Sequence, residues 1–361
     1  MSDDARSPSN VSRRRFLGTA ASASAASALL SAAPAAAKPQ DDPAARPPLA
    51  AKPPPGFSPF AAPGRIVKVS KGNTLQPNGL WPNEGDAKVM LERALTELTG
   101  EPDLVRALAR FVHKDDKVAI KVNGIAGQKG ATMGTNKELV LPIAQALIAL
   151  GLPPQNVWVY EQYTSFLNGT RVNDRNLPAG VKAYVHGNGT TTMDEIRVDG
   201  IPTKFTKYLT DATAVINVSL IKDHSICGYT GMLKNMTHGS NINPHDFHAH
   251  NASPQIAHLY AQDVIKSRVR LCVTDGFKLT YDGGPLDKKP ECRIPHEAVY
   301  VATDPVAMDA FGANLVDKIR RDKGMRTLKD VKRDPSYIRV ASELGLGVAD
   351  LNALRLKEVA L

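Results

Sequence analysis

From about residue 65 onward, short apolar runs alternate with segments whose apolar residues recur at helical spacing. The runs Arg65-Ile66-Val67-Lys68-Val69, Lys117 to Val122, Val157 to Tyr160, Ala214 to Leu220, Val269 to Thr274 and Val299 to Thr303 read as strands. Helices are expected at Asp86 to Thr99, Asp103 to Val112, Lys137 to Leu150, around Met232, and at Pro305 to Arg320. Strands alternating with helices predict an α/β fold: a mostly parallel or mixed sheet with flanking helices. Phe166 to Phe205, rich in Gly, Asn, Asp and Thr, reads as a loop-rich insertion. No period typical of a solenoid is present.

Residues 1–64 break this pattern. Ser12-Arg13-Arg14-Arg15-Phe16-Leu17-Gly18 precedes a weakly apolar Ala/Ser run that ends at Ala35-Ala36-Ala37, which resembles a twin-arginine (Tat) export signal cleaved after Ala37. The run is long enough for a membrane anchor, but its Ala/Ser composition and a late proline favour cleavage over stable retention in a bilayer. The expectation is therefore a periplasmic or extracellular protein that meets the Tat machinery and keeps no membrane span. Residues 38–64 hold nine prolines in 27 residues and read as an extended linker, so the α/β domain is expected over 65–361.

The composition is that of a globular chain: 361 residues, 42% hydrophobic, 22% charged, three Cys. Residues 1–37 carry four Arg and two Asp, so their removal lowers the net charge from +9 to +7. No run of Lys and Arg interleaved with aromatics accompanies this excess, which argues against nucleic acid and for a small anionic ligand.

In open α/β sheets, ligands gather at the carboxyl ends of strands. The first such end carries Lys121-Val122-Asn123-Gly124 and opens a loop containing Gly124, Gly127, Gly130 and Gly134. That loop leads to Thr135-Asn136-Lys137-Glu138, a capping-box pattern at a helix N-terminus. The second carries Lys222-Asp223-His224, followed by Gly231-Met232-Leu233-Lys234-Asn235. Lysines and a histidine beside glycine N–H groups suit an anion, or a base with a charge stabiliser. Lys222, His224 and Lys234 are thus candidate catalytic groups, and Lys121, Asn123, Gly231 and Asn235 candidate ligand-binding ones.

Four of the nine histidines, His238, His245, His248 and His250, fall within thirteen residues and are candidate ligands for a divalent transition metal. Hydrogen bonding to an anion and a merely polar loop are the competing readings. Asp275, after the run ending at Thr274, is the fourth candidate catalytic group. Asp304 before Pro305 reads as a helix N-cap.

Lys121 and Asn123, Lys222-Asp223-His224, Thr230 to Asn235, Asp275-Gly276, Gly283-Gly284-Pro285 and Asp304 to Asp309, taken in this order, resemble the family known as domain of unknown function 362, over about Arg65 to Arg320. The resemblance implies no reaction. Some members of that family carry ferredoxin-type iron–sulfur modules, but Cys227, Cys272 and Cys292 are widely spaced and exclude a four-cysteine cluster within this chain. Two readings follow: an exported enzyme acting on an anionic substrate, and a ligand- or metal-binding protein without turnover.

Overall fold

The computed structural model describes residues 49–125 and 133–361. Its strands are β1 (Arg65–Ser70), β2 (Val118–Lys121), β3 (Val157–Glu161), β4 (Lys182–Val185), β5 (Ile196–Val198), β6 (Ile201–Thr203), β7 (Ala214–His224), β8 (Gly228–Thr230), β9 (Val269–Thr280), β10 (Arg293–Ala302) and β11 (Arg355–Ala360). Its helices are α1 (Glu84–Thr99), α2 (Leu104–Ala109), α3 (Lys137–Ala149), α4 (Thr164–Thr170), α5 (Lys207–Thr210), α6 (Met232–Thr237), α7 (Gln255–Tyr260), α8 (Asp263–Lys266), α9 (Pro305–Asp322) and α10 (Tyr337–Glu343).

One mixed sheet runs in the order β11-β1-β10-β9-β7-β2-β3-β4, with β8 folded antiparallel onto the end of β7. The neighbours β9, β7, β2, β3 and β4 are mutually parallel, whereas β10 is antiparallel to both β9 and β1. The fully buried strands alternate their side chains between two apolar cores. Val118, Ile120, Ile216 and Val218 enter the core covered by α1, α2 and α3, while Ala119 and Val215 enter the one covered by α6, α7 and α9. Helix α1 buries Ala87, Met90, Leu91, Ala94, Leu95 and Leu98, the i, i+3, i+4 stripe its sequence predicts, and stops at Gly100 in the left-handed region.

Three departures from the sequence reading matter. The carboxylate of Asp304 caps α9 through Ala307 N–H as expected, but it also accepts from Gly64 N–H, and Phe60 packs edge-on to Phe111. Residues 49–64 of the expected linker are therefore laid on the domain rather than free of it; 38–48, the signal segment, Gly127 and Gly130 lie outside the described residues. The expected capping box at Thr135 to Glu138 does not form, because Glu138 pairs with Arg171 while Asp275 takes the Asn136 N–H. Finally, the loop-rich insertion contributes β4 as the edge strand of the main sheet, alongside the small hairpin β5–β6. Among the described residues, no helix is long and apolar enough to cross a membrane.

Candidate functional site

Parallel pairing puts Lys121 beside Asn217 on one side and Tyr160 on the other, so β2 and β3 end together while β7 runs on to His224. Beyond those ends lies a cavity of about 390 Å³, a volume suited to a small molecule. Lys121, Asn123, Glu161, His224, Lys234 and Asn235 are among the side chains that line it.

The floor is a hydrogen-bonded network with one direction. Lys222 Nζ donates to Asn123 Oδ1 (2.7 Å), Asn123 Nδ2 to Asn235 Oδ1 (3.1 Å), Asn235 Nδ2 to Asn217 Oδ1 (2.8 Å), and Asn217 Nδ2 to the Met232 carbonyl (2.9 Å). Each amide is thereby fixed in orientation. Lys121 Nζ joins the network at Asn235 Oδ1 and forms a buried ion pair with Glu161 at 2.7 Å. Glu161 in turn accepts the N–H groups of Gly124 and Gln162, which satisfies its remaining lone pairs.

Helix α6 carries Lys234, Asn235 and, at its C-terminal cap, His238. Its first N–H groups, from Met232 and Leu233, are taken by the Asp309 carboxylate at 2.5 and 3.0 Å. That carboxylate occupies the space where a Cβ on residue 231 would stand, which is why a glycine is needed there. Gly231 therefore seats the helix and does not face the cavity. One wall of the cavity, with Pro285 and Leu286, belongs to a loop held by Asp223, whose Oδ1 accepts Gly284 N–H and whose Oδ2 pairs with Arg333.

The histidines divide by what their nitrogens already do. His248 Nδ1 donates to the Pro244 carbonyl (2.8 Å), so Nε2 carries the lone pair and accepts from Lys234 Nζ at 3.2 Å. His224 Nδ1 accepts from the N–H groups of Ile226 and Cys227, which leaves the proton on Nε2, without a partner among the described residues. His238 Nε2 donates to the Phe247 carbonyl (3.0 Å), which fixes the 244–252 loop, and Nδ1 is taken by Thr237 Oγ1 at 3.1 Å, so neither nitrogen is free. His245 lines the cavity with its ring 6.5 Å from that of His248, but His250 is exposed on left-handed backbone (φ 51°) and stands apart. The four expected metal ligands do not converge. Among the described residues, no group of three or more His, Cys, Asp or Glu side chains is placed to hold a metal ion.

Asp275 is also displaced from its expected role. Strand β9 continues past it to Thr280, so Asp275 sits inside the sheet and binds Asn136 through both N–H (2.6 Å) and Nδ2 (2.9 Å). It holds the start of α3 and does not line the cavity. Glu161 and Gln162 were not anticipated from sequence, although they directly follow the run Val157 to Tyr160. The strand-end rule that selected Lys121 applies to them equally.

The electrostatics follow from burial. Burial pulls the Lys222 amine down to about 7; Glu161 opposes this more than the charge of Lys234 assists it, and Asp223 and Asp287 oppose it as well. Lys234 is lowered by burial as well. Burial and Lys234 hold His224 and His238 well below the usual imidazole range and bring His248 to about 4, so all three rings are neutral at neutral pH.

Residues 118–314, more than half of the chain, match the family model described as a domain of unknown function, DUF362. The chain belongs to this family. The DUF362 segment begins at β2 and ends within α9, so it contains every cavity residue named above together with the α6 anchor Asp309. No curated protein matches the chain. Among solved structures, the lactate racemase apoprotein from Thermoanaerobacterium thermosaccharolyticum is similar at 12% identity and a TM-score of 0.41. The alignment covers 70% of this DUF362 chain and 57% of that one, a likeness too slight to bear on the site.

Proposed function

We propose that this DUF362 protein is exported, binds a small organic anion in the cavity beyond β2, β3 and β7, and carries out acid–base chemistry on it. One observation carries the reading. Lys222 and Lys234 are buried, at 1% and 6% exposure, and among the described residues neither has a carboxylate within ion-pairing distance, whereas Lys121 beside them is matched by Glu161. Removing an amine from water costs several kcal/mol unless an opposite charge meets it. A bound anion supplies that charge.

The cavity also holds polar groups waiting for a partner. Gln162 Nε2 and Thr230 Oγ1 are buried without hydrogen bonds, and both residues line the space, as does His224 with its free Nε2–H. The Lys234–His248 contact favours chemistry over simple carriage, because it couples a proton donor to an imidazole lone pair at the cavity. Export rests on the paired arginines Arg13-Arg14 ahead of the Ala/Ser run, which would place the mature chain in the periplasm or outside the cell.

Thermal unfolding of the mature chain against phosphate, sulfate, acetate, succinate and isobutyrate tests the site. At least one of these is expected to raise Tm saturably, and Lys234→Gln to abolish the rise. Indifference of the wild-type chain to every anion, or an undiminished rise in Lys234→Gln, would refute it.

A further inference from the structure

We infer that Lys234 is a nucleophile that captures the carbonyl carbon of a 2-oxo acid as an imine, an inference that rests on the anion-site reading and adds the reacting atom to it. Three lysines line the described part of the cavity. Lys121 is committed to Glu161, the Val122 carbonyl and Asn235, and Lys288 is exposed. Lys234 differs from both: it is buried, lacks a carboxylate, and donates one hydrogen to an imidazole nitrogen that has no proton to give back. An amine so placed is desolvated, and burial lowers its pKa, a condition under which lysine attacks carbonyls at neutral pH.

The rest of the cavity matches the two ends of such a substrate. A carboxylate meets the field of Lys222, which stands behind the lining residue Asn123 and has no ion pair among the described residues. The carbonyl oxygen needs a donor that is neutral and fixed, and His224 Nε2–H and Gln162 Nε2 are both without partners. Apolar side chains, Ile125, Phe166, Ile226 and Leu286, line the remainder and suit a short hydrocarbon body.

The step balances without a further reagent. Lys234 Nζ forms a bond to the carbonyl carbon while the carbonyl π pair moves to oxygen. His248 Nε2 accepts a proton from the new ammonium and passes it to the alkoxide, giving the carbinolamine, then carries the remaining amine proton to the hydroxyl, which leaves as water. The products are one imine and one water from one amine and one ketone.

The wild-type mature chain treated with pyruvate and cyanoborohydride tests this directly by intact mass and peptide mapping. The expected result is close to one reduced adduct per chain, on the peptide containing Lys234, suppressed by excess isobutyrate, which has the shape and charge of pyruvate but no carbonyl. Lys234→Arg keeps the charge and is expected to lower labelling roughly tenfold. Adducts scattered over surface lysines without isobutyrate protection, or no adduct, would overturn the assignment. Thermal unfolding separates the two layers. If pyruvate and isobutyrate both raise Tm and no adduct forms, the nucleophile is wrong and the anion site stands; if neither raises Tm and no adduct forms, both are wrong.

Discussion

Lys234 Nζ lies 3.2 Å from His248 Nε2, the ring nitrogen left without a proton because Nδ1 donates to the Pro244 carbonyl. The contact joins α6 to the 244–252 segment, so the reactive geometry depends on how that segment is held. His238 Nε2, bonded to the Phe247 carbonyl, is the fastening.

His238→Ala is therefore expected to loosen the segment. It leaves the Phe247 carbonyl without its donor, at a cost of about 1–3 kcal/mol. Limited proteolysis should show new cleavage between residues 244 and 252, with a lower denaturant midpoint. His250→Ala, at an exposed position, should change neither. Equal effects of the two substitutions would show that the described hydrogen bond is not what holds the loop.

Asp275→Ala should act on stability and leave the site alone. The change removes the acceptor for Asn136 N–H and Nδ2 at the start of α3, for an expected loss of about 1–3 kcal/mol by denaturant unfolding. Anion affinity of the folded variant should stay within about twofold of the parent, as for a substitution outside the site. A large loss of affinity with normal stability would restore Asp275 to the site.

These two cases show where the sequence is legible and where it stops being so. Lys121 and Asn123 line the cavity where an apolar run and the strand-end rule put them, whereas Asn235 reaches it from α6. Asp275 misled because β9 does not end where its apolar run ends: pairing with β10 carries it on to Thr280. His250 misled because histidine spacing says nothing about backbone handedness, and His250, Asn251 and Ala252 all have positive φ. The roles of Gly231 and Asp309 depend on contact between residues nearly eighty positions apart, which no local pattern encodes.

Stability should depend on pH through Lys222. Its amine is held at about 7 in the folded chain, against 10.5 for the ordinary group. Between those values the unfolded chain binds a proton that the folded chain has released, so stability rises with pH across that window and is flat below it. Urea midpoints of the anion-free protein should therefore climb from neutral to alkaline pH. Lys222→Met should be the more stable chain at neutral pH and show a shallower rise, since Lys234 and Lys278 are lowered by burial as well; the same slope in both chains would assign the dependence elsewhere.

Export should depend on the arginine pair. Arg13→Lys with Arg14→Lys is expected to leave the chain unprocessed in the cytoplasmic fraction, while the parent appears in the periplasm shortened by about 37 residues. Unchanged fractionation would remove the export reading without touching the site.

The central claim is that a small anion completes the charge of Lys222 and Lys234. Its most direct test is calorimetric titration of the mature chain with isobutyrate at about pH 8, in buffers of different ionisation heat. A bound anion raises the pKa of the buried amines, so the account predicts saturable binding accompanied by uptake of about one proton, both lost in Lys234→Gln. Binding with no proton uptake, or binding that survives Lys234→Gln intact, would contradict it.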